Sequence, residues 1–186
     1  MENLKELPQD LPTPIDDGAC DRLMGKYLPS IALASTQGGS VDLSAISGRV
    51  VIYGYPMTGE PGIPLPDGWD EIPGARGCTP QSCAFRDHYQ ELNDLGAQVF
   101  GLSTQSTEYQ QSAKLRLHLP FELLSDRDLS FAQAIGLPVF EIENKRLIKR
   151  VTLIVADSQI IKVFYPVFPP DRNANDVISW LQKHAS

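Results

Sequence analysis

The apolar positions of the chain fall into short blocks separated by glycine and proline. Residues 50–55 (VVIYGY) form an unbroken apolar, β-branched and aromatic run, as a buried strand requires, and Pro56 stops it. Residues 78–95 read as one helix, because Phe85, Tyr89, Leu92 and Leu95 recur at near-helical spacing and Gly96 supplies a stop. Further strands are expected at 98–102, 121–124, 139–142, 147–155 and 159–165, with a turn at Asn144 and a hairpin between the last two. Helices are expected at 107–118, 129–135 and 173–184; in the last, Val177, Trp180 and Leu181 share a face, and Asp171 or Asn173 is placed to cap it. Upstream, residues 19–24 suggest a short helix, and residues 40–46 an extended piece running into a helical turn. Strands alternating with helices, then a hairpin and a closing helix, predict an α/β fold with a mixed central sheet flanked by helices.

At 186 residues the chain suits one domain, and no internal repeat or low-complexity tract divides it. Residues 1–17, with Pro8, Pro12 and Pro14 among acids, read as a flexible arm ahead of a single domain over 18–186. Residues 57–76 are the longest irregular segment and carry Pro61, Pro64, Pro66 and Pro73 together with Gly59, Gly62, Gly68 and Gly74. Loops this long inside compact domains are functional or disordered. Trp69 beside Asp67, Asp70 and Glu71 allows a lid or a partner surface; a solvated acidic loop is the plainer reading.

Charge and cysteine usage narrow the function. The formal net charge is -7, and an acidic surface repels phosphate backbones, which argues against nucleic acid as a partner. No stretch has the length of a membrane span, and the polar, proline-rich start lacks the basic and apolar regions of a signal peptide, so the expected address is the cytoplasm. Three cysteines, Cys20, Cys78 and Cys83, are too few for a disulfide scaffold. Structural zinc would need more ligands than Cys20 and the scattered His88, His118 and His184 provide, so no metal is expected. No glycine-rich phosphate cradle follows a strand, so no nucleotide cofactor is indicated either.

The chemistry centres on GARGCTPQSCAFRD. Cys78 falls where a loop ends and a helix begins, where unpaired N–H groups and the helix dipole favour a thiolate over a thiol; Arg76 and Arg86 are close enough in sequence to contribute. A thiolate attacks peroxide oxygen to give a sulfenic acid. Cys83 lies five positions on. On an intact helix that spacing separates the Cα atoms by about 8.7 Å, beyond the roughly 7 Å a disulfide tolerates, so a bond between them requires the helix start to unwind. Two inert core thiols are the alternative. Cys20 reads as a spare thiol.

Gly77-Cys78-Thr79 through Cys83, then Phe85-Arg86-Asp87, is similar to the G-C-T-x-x-x-C-x-F-R-D segment of the peroxiredoxin family. Leu124-Ser125-Asp126 with Asp128-Leu129, and the strand from Arg150 to Val155, match in the expected order. Across roughly residues 25–181 the chain resembles that family, and within it the Q-type (bacterioferritin-comigratory) group. The resemblance implies a thioredoxin-like fold, Cys78 as the peroxidatic cysteine, Cys83 as the resolving cysteine, and Arg150 as the arginine that holds the thiolate and polarises the peroxide. It also implies thioredoxin or a similar dithiol as reductant, no cofactor, and a monomer or dimer. The chain departs from the family's P-x-x-x-T-x-x-C pattern: Pro56 follows its strand as expected but lies far from Cys78, and Ala75 stands where a hydroxyl residue should bind the peroxide. Thr58 could return to the substrate pocket if the insertion folds as an excursion, whereas Thr79 should point elsewhere on a regular helix.

The expected activity is reduction of hydrogen peroxide or organic hydroperoxides by an atypical 2-Cys mechanism. The missing hydroxyl and the insertion motivate a non-enzymatic redox sensor as the alternative; a thiol–disulfide oxidoreductase would favour C-x-x-C, which is absent here.

Overall fold

The computed structural model describes residues 3–185. The chain enters its sheet through an antiparallel pair, β1 (Ala32–Ser35) and β2 (Ser40–Asp42). A 3-10 turn at Leu43–Ala45, where Asp42 accepts from Ser44 N, leads into β3 (Arg49–Gly54). After the long insertion come α1 (Cys78–Asp87), α2 (Tyr89–Asp94), β4 (Ala97–Ser103), α3 (Thr107–Leu117), β5 (Glu122–Ser125) and α4 (Ser130–Ile135). The hairpin β6 (Val139–Ile142) and β7 (Lys145–Ile148) precedes β8 (Val151–Ala156), β9 (Gln159–Phe164) and α5 (Asn173–Lys183).

Seven strands form one sheet in the order β2-β1-β5-β4-β3-β8-β9, and β6-β7 stands apart as a pair. β3, β4 and β5 are parallel, while β1, β8 and β9 join antiparallel to their neighbours. Side chains alternate along β3: Val50 and Ile52 enter the core on one face with Phe131 and Leu153, Val51 and Tyr53 the other with Phe85 and Val177. Both faces are covered, which is why this strand reads as a continuous apolar run. The result is the thioredoxin-like α/β architecture, a mixed sheet flanked by helices. Among the described residues, no helix is long and apolar enough to cross a membrane.

Several elements differ from the sequence expectation. The 78–95 helix is broken at His88 (φ -102, ψ 12), yet His88 N still bonds Ala84 O and Leu92 N bonds His88 O, so the apolar spacing runs through the break unmarked. The 147–155 run is two strands: Lys149 N bonds Pro138 O beside the small pair, and the chain crosses at Lys149-Arg150 into the large sheet. Residues 19–24 form turns rather than a helix, bounded by Gly18 and Gly25 at φ 75 and 81. Neither Asp171 nor Asn173 caps α5; a 3-10 turn at Pro170–Arg172 precedes it, and the Asn173 side chain points inward.

The insertion is a solvated acidic loop only in part: Asp67 and Glu71 are exposed, but the segment carries a packed apolar centre. Trp69, 3% exposed, heads a 3-10 turn and packs with Ala75, Leu147 and Phe140 in a small apolar cluster of its own. The acids flank this cluster, and Asp70 pairs with Arg76 at 2.9 Å. The arm is draped over the same end of the molecule: Arg76 Nη2 donates to Asn3 O, Tyr165 Oη to Asp17 Oδ1 and Lys149 Nζ to Asp17 Oδ2.

Candidate active site

Gly77 begins the site. Its φ of 114° suits glycine, and a Cβ there would lie 2.4 Å from Pro170 and 2.9 Å from Leu7. This backbone turn lets the insertion end abruptly and α1 start at Cys78. Pro80 fits the first helical turn because it needs no N–H, leaving the amides of Cys78 and Thr79 directed out of the helix start.

Cys78 is 3% exposed and its sulfur meets a cation. Arg150 Nη2 donates to Cys78 Sγ at 3.2 Å, while Sγ lies 3.7 Å from Ala75 O. The guanidinium is fixed on every side: Nε donates to Gly74 O (3.2 Å), Nη2 also to Ala75 O (2.9 Å) and Arg76 O (3.3 Å), and Nη1 to Gln81 Oε1. Three consecutive carbonyls at the end of the insertion therefore hold the arginine, and its place just ahead of β8 delivers it under α1. Arg76 and Arg86, the nearby cations in sequence, are engaged with other groups, although Arg76 lines the crevice at Cys78. Arg76 pairs with Asp70, and Arg86 donates to Asp87 and to Leu117 O.

A buried polar relay extends this arrangement. Gln81 Nε2 donates to Asn173 Oδ1 at 3.0 Å, and Thr152 Oγ1 donates to the same oxygen at 2.7 Å. Gln81 and Asn173 were not anticipated as site residues. One signal was readable: Gln81 follows Cys78 by three positions, the spacing that places two side chains on one helix face.

Cys83 occupies the same intact helix, so the spacing argument holds in this structure: all three cysteines are free thiols. Cys83 is half-buried and lines a crevice with Lys5, Glu6 and Leu7 of the arm. Burial pushes its thiol above the ordinary range, and Arg86 partly offsets this. Cys20 lies in the core on the other side of the sheet, its thiol pushed up to about 12 by burial and by Asp17, Asp16 and Asp21.

Two spaces flank the site. The larger, about 380 Å³, is lined by Pro56, Gly74 and Arg150 and by arm residues Thr13 and Pro14. The smaller, about 10 Å³, is lined by Cys78 itself with Thr79, Met57, Gly59 and Leu4. Thr79 thus shares the crevice with the sulfur, contrary to its expected direction. Thr58, between two lining residues, turns away: its hydroxyl and its amide both face Gln105 Oε1, and its carbonyl accepts from Tyr109 Oη. Ala75 contributes its carbonyl and no hydroxyl. Among the described residues, no group of three or more His, Cys, Asp or Glu is placed to hold a metal ion.

A buried cysteine at a helix start, faced by a fixed guanidinium on a thioredoxin-like sheet, defines a thiol-based redox protein. Residues 23–178 match the Redoxin family, so the arm lies ahead of the shared domain. The chloroplast peroxiredoxin Q of Sedum lineare is 31% identical over 160 residues, covering 85% of this chain and 77% of that protein. The peroxiredoxin bcp of Coxiella burnetii is 28% identical over 162 residues, 85% of this chain and 97% of its own. The crystal structure of peroxidoxin BcpB from Mycobacterium tuberculosis shares the fold, with TM-score 0.72 at 24% identity over 88% of this chain and 98% of that one. The chain belongs to the redoxin family, in its peroxiredoxin Q branch, and is a thiol peroxidase.

Proposed function

We propose that this chain reduces hydroperoxides at Cys78, that Cys83 resolves the product, and that a dithiol protein of the thioredoxin type restores both thiols. The observation that carries this reading is the 3.2 Å contact between Arg150 Nη2 and Cys78 Sγ at the mouth of α1. The Cys78 thiolate attacks the terminal peroxide oxygen; the O–O bond breaks, an S–O bond forms, and the departing oxygen leaves as water or alcohol once protonated. Negative charge grows on that oxygen as the bond breaks, and Arg150 with the first amides of α1 is placed to stabilise it. The sulfenic acid then condenses with the Cys83 thiol, releasing water and forming a disulfide, for which the first turn of α1 unwinds. Thiol–disulfide exchange with the reductant returns two thiols and leaves the reductant oxidised.

Peroxide-dependent oxidation of thioredoxin, compared between the wild type, Cys78→Ser and Cys83→Ser, tests this directly. Turnover is expected to vanish in the first variant. In the second, a single oxidation followed by accumulation of Cys78 sulfinic acid is expected. Undiminished turnover in Cys78→Ser would refute the assignment.

A further inference from the structure

The arm and the insertion meet over the reactive sulfur. Leu4 and Leu7 are half-buried while Lys5 and Glu6 between them are exposed, so two apolar side chains anchor an otherwise polar segment. Leu7 rests against Gly77, the residue that starts α1. Leu4 rests against Gly59 so closely that a Cβ there would lie 2.8 Å from Leu4 Cδ2 and 3.1 Å from Cδ1. The backbone just ahead of Leu4 is tied down by Arg76, which donates to Asn3 O at 3.2 Å. Leu4, Met57, Leu65 and Trp69 thereby roof the crevice that Cys78 and Thr79 floor, and the space left is about 10 Å³, room for a single water-sized sphere.

That volume sets a size limit on what reaches the sulfur through this crevice, on the flank away from the larger space beside Arg150. In-line attack brings the peroxide oxygen to about 3–3.5 Å from Sγ, so the rest of the substrate must occupy the space beyond it. Hydrogen peroxide adds one oxygen and two protons there. An alkyl or aryl hydroperoxide adds a carbon skeleton that overlaps Leu4. We infer that Leu4 is a specificity-determining residue: seated on Gly59, it makes the enzyme favour hydrogen peroxide over bulky hydroperoxides, which react when the arm lifts.

This inference rests on Cys78 being the peroxidatic residue, and the test separates the two. The rates of Cys78 oxidation by hydrogen peroxide and by cumene hydroperoxide are measured by stopped flow on the full-length wild type, Leu4→Ala and Leu7→Ala. In the wild type hydrogen peroxide is expected to react faster. In Leu4→Ala the ratio of cumene hydroperoxide to hydrogen peroxide rates should rise roughly tenfold or more, the scale on which a hydrophobic pocket discriminates small changes in bulk. Leu7→Ala, which loosens the arm at its second anchor, should move the ratio the same way. Both oxidants reacting at Cys78 with a ratio unmoved by Leu4→Ala, or a wild type that prefers cumene hydroperoxide, overturns the role of Leu4 alone. A wild type whose Cys78 reacts with neither overturns the peroxidatic assignment and this inference with it.

Discussion

Replacing Arg150 by methionine isolates the guanidinium while keeping an unbranched, apolar stem. Five acceptors surround this group: Gly74 O, Ala75 O, Arg76 O, Gln81 Oε1 and Cys78 Sγ. Four belong to the scaffold and one to the reacting atom, so the fold has already oriented the cation, and little reorganisation remains for the reaction. Loss of one preorganised donor from a site of developing negative charge slows chemistry by about 10²–10³, or about 2.7–4 kcal/mol. Oxidation of Cys78 by hydrogen peroxide should fall by that factor in Arg150→Met. The fold should also lose stability, because buried acceptors stripped of a partner cost about 1–3 kcal/mol each at most. Arg150→Lys keeps the charge but concentrates it at one nitrogen, which cannot serve three carbonyls, Gln81 and the sulfur together, and should recover part of the rate. Stopped-flow fluorescence of Trp69, which lines the crevice with Cys78, reads the oxidation step, and circular dichroism checks that the variants fold. A folded Arg150→Met that reacts within about threefold of the wild type would refute the reasoning, since that is well under 1 kcal/mol of transition-state stabilisation.

The remaining predictions concern the other two thiols. Because burial pushes Cys83 up, iodoacetamide should label it in reduced Cys78→Ser more slowly at pH 7 than it labels free cysteine, with a midpoint above the ordinary 9.0; labelling at the free-cysteine rate would contradict the shift. The sign carries over to stability. The folded protein keeps a proton there that the unfolded chain releases, so the fold should lose stability as pH climbs past the ordinary thiol value, which chemical denaturation across pH 7.5–10 would detect as a falling midpoint; Cys20, pushed up further, adds to the same fall, and Cys83→Ser should make it shallower. Cys20→Ser should leave the peroxide rate within about twofold, because a thiol held protonated in the core takes no part in exchange; a large drop by stopped flow would assign Cys20 a role.

Much of the sheet was legible because its strands are short and its central ones are covered on both faces. The run at 50–55 could hardly be anything else, β4 and β5 followed from the same pattern, and the half-buried edge strand β9 followed as the hairpin partner of β8. Cys78 was legible from its place between a glycine-rich loop and an amphipathic stretch. Arg150 was legible through family resemblance, since its own surroundings in the chain look like one long strand and hide the crossing at Lys149-Arg150. Asn173 looked like a cap because its residue type suits that position; its inward turn depends on Thr152 and Gln81, which are distant in sequence. The roof over the sulfur left no trace of its own. Leu4 and Leu7 are two apolar residues in a polar arm and establish no period, and Trp69 among acids looks solvated until Phe140 and Leu147 are brought beside it.

In the mechanism proposed above, the first turn of α1 has two duties that exclude each other. Peroxide attack needs that turn formed, because Gln81 within it bridges Arg150 and Asn173 and so aims the guanidinium at Cys78. Disulfide formation needs the turn undone, because the helical separation of about 8.7 Å exceeds what the bond allows. The end that yields is set by packing. Phe85 is fully buried, its ring stacked on Tyr53 with centroids 4.6 Å apart, and it pins the later part of the helix. The start, although Cys78 to Ser82 are buried, is held by polar contacts and by Leu7 and Pro170 on Gly77, and its Pro80 contributes no amide to the helix. Unwinding from that end withdraws Gln81 from Arg150, a hydrogen bond to a charged group of about 1.5–3 kcal/mol. On this reading the step that resolves the sulfenic acid ties up the Cys78 sulfur and also dismantles the cation's support, and both are recovered together when the thiols are restored and the turn refolds.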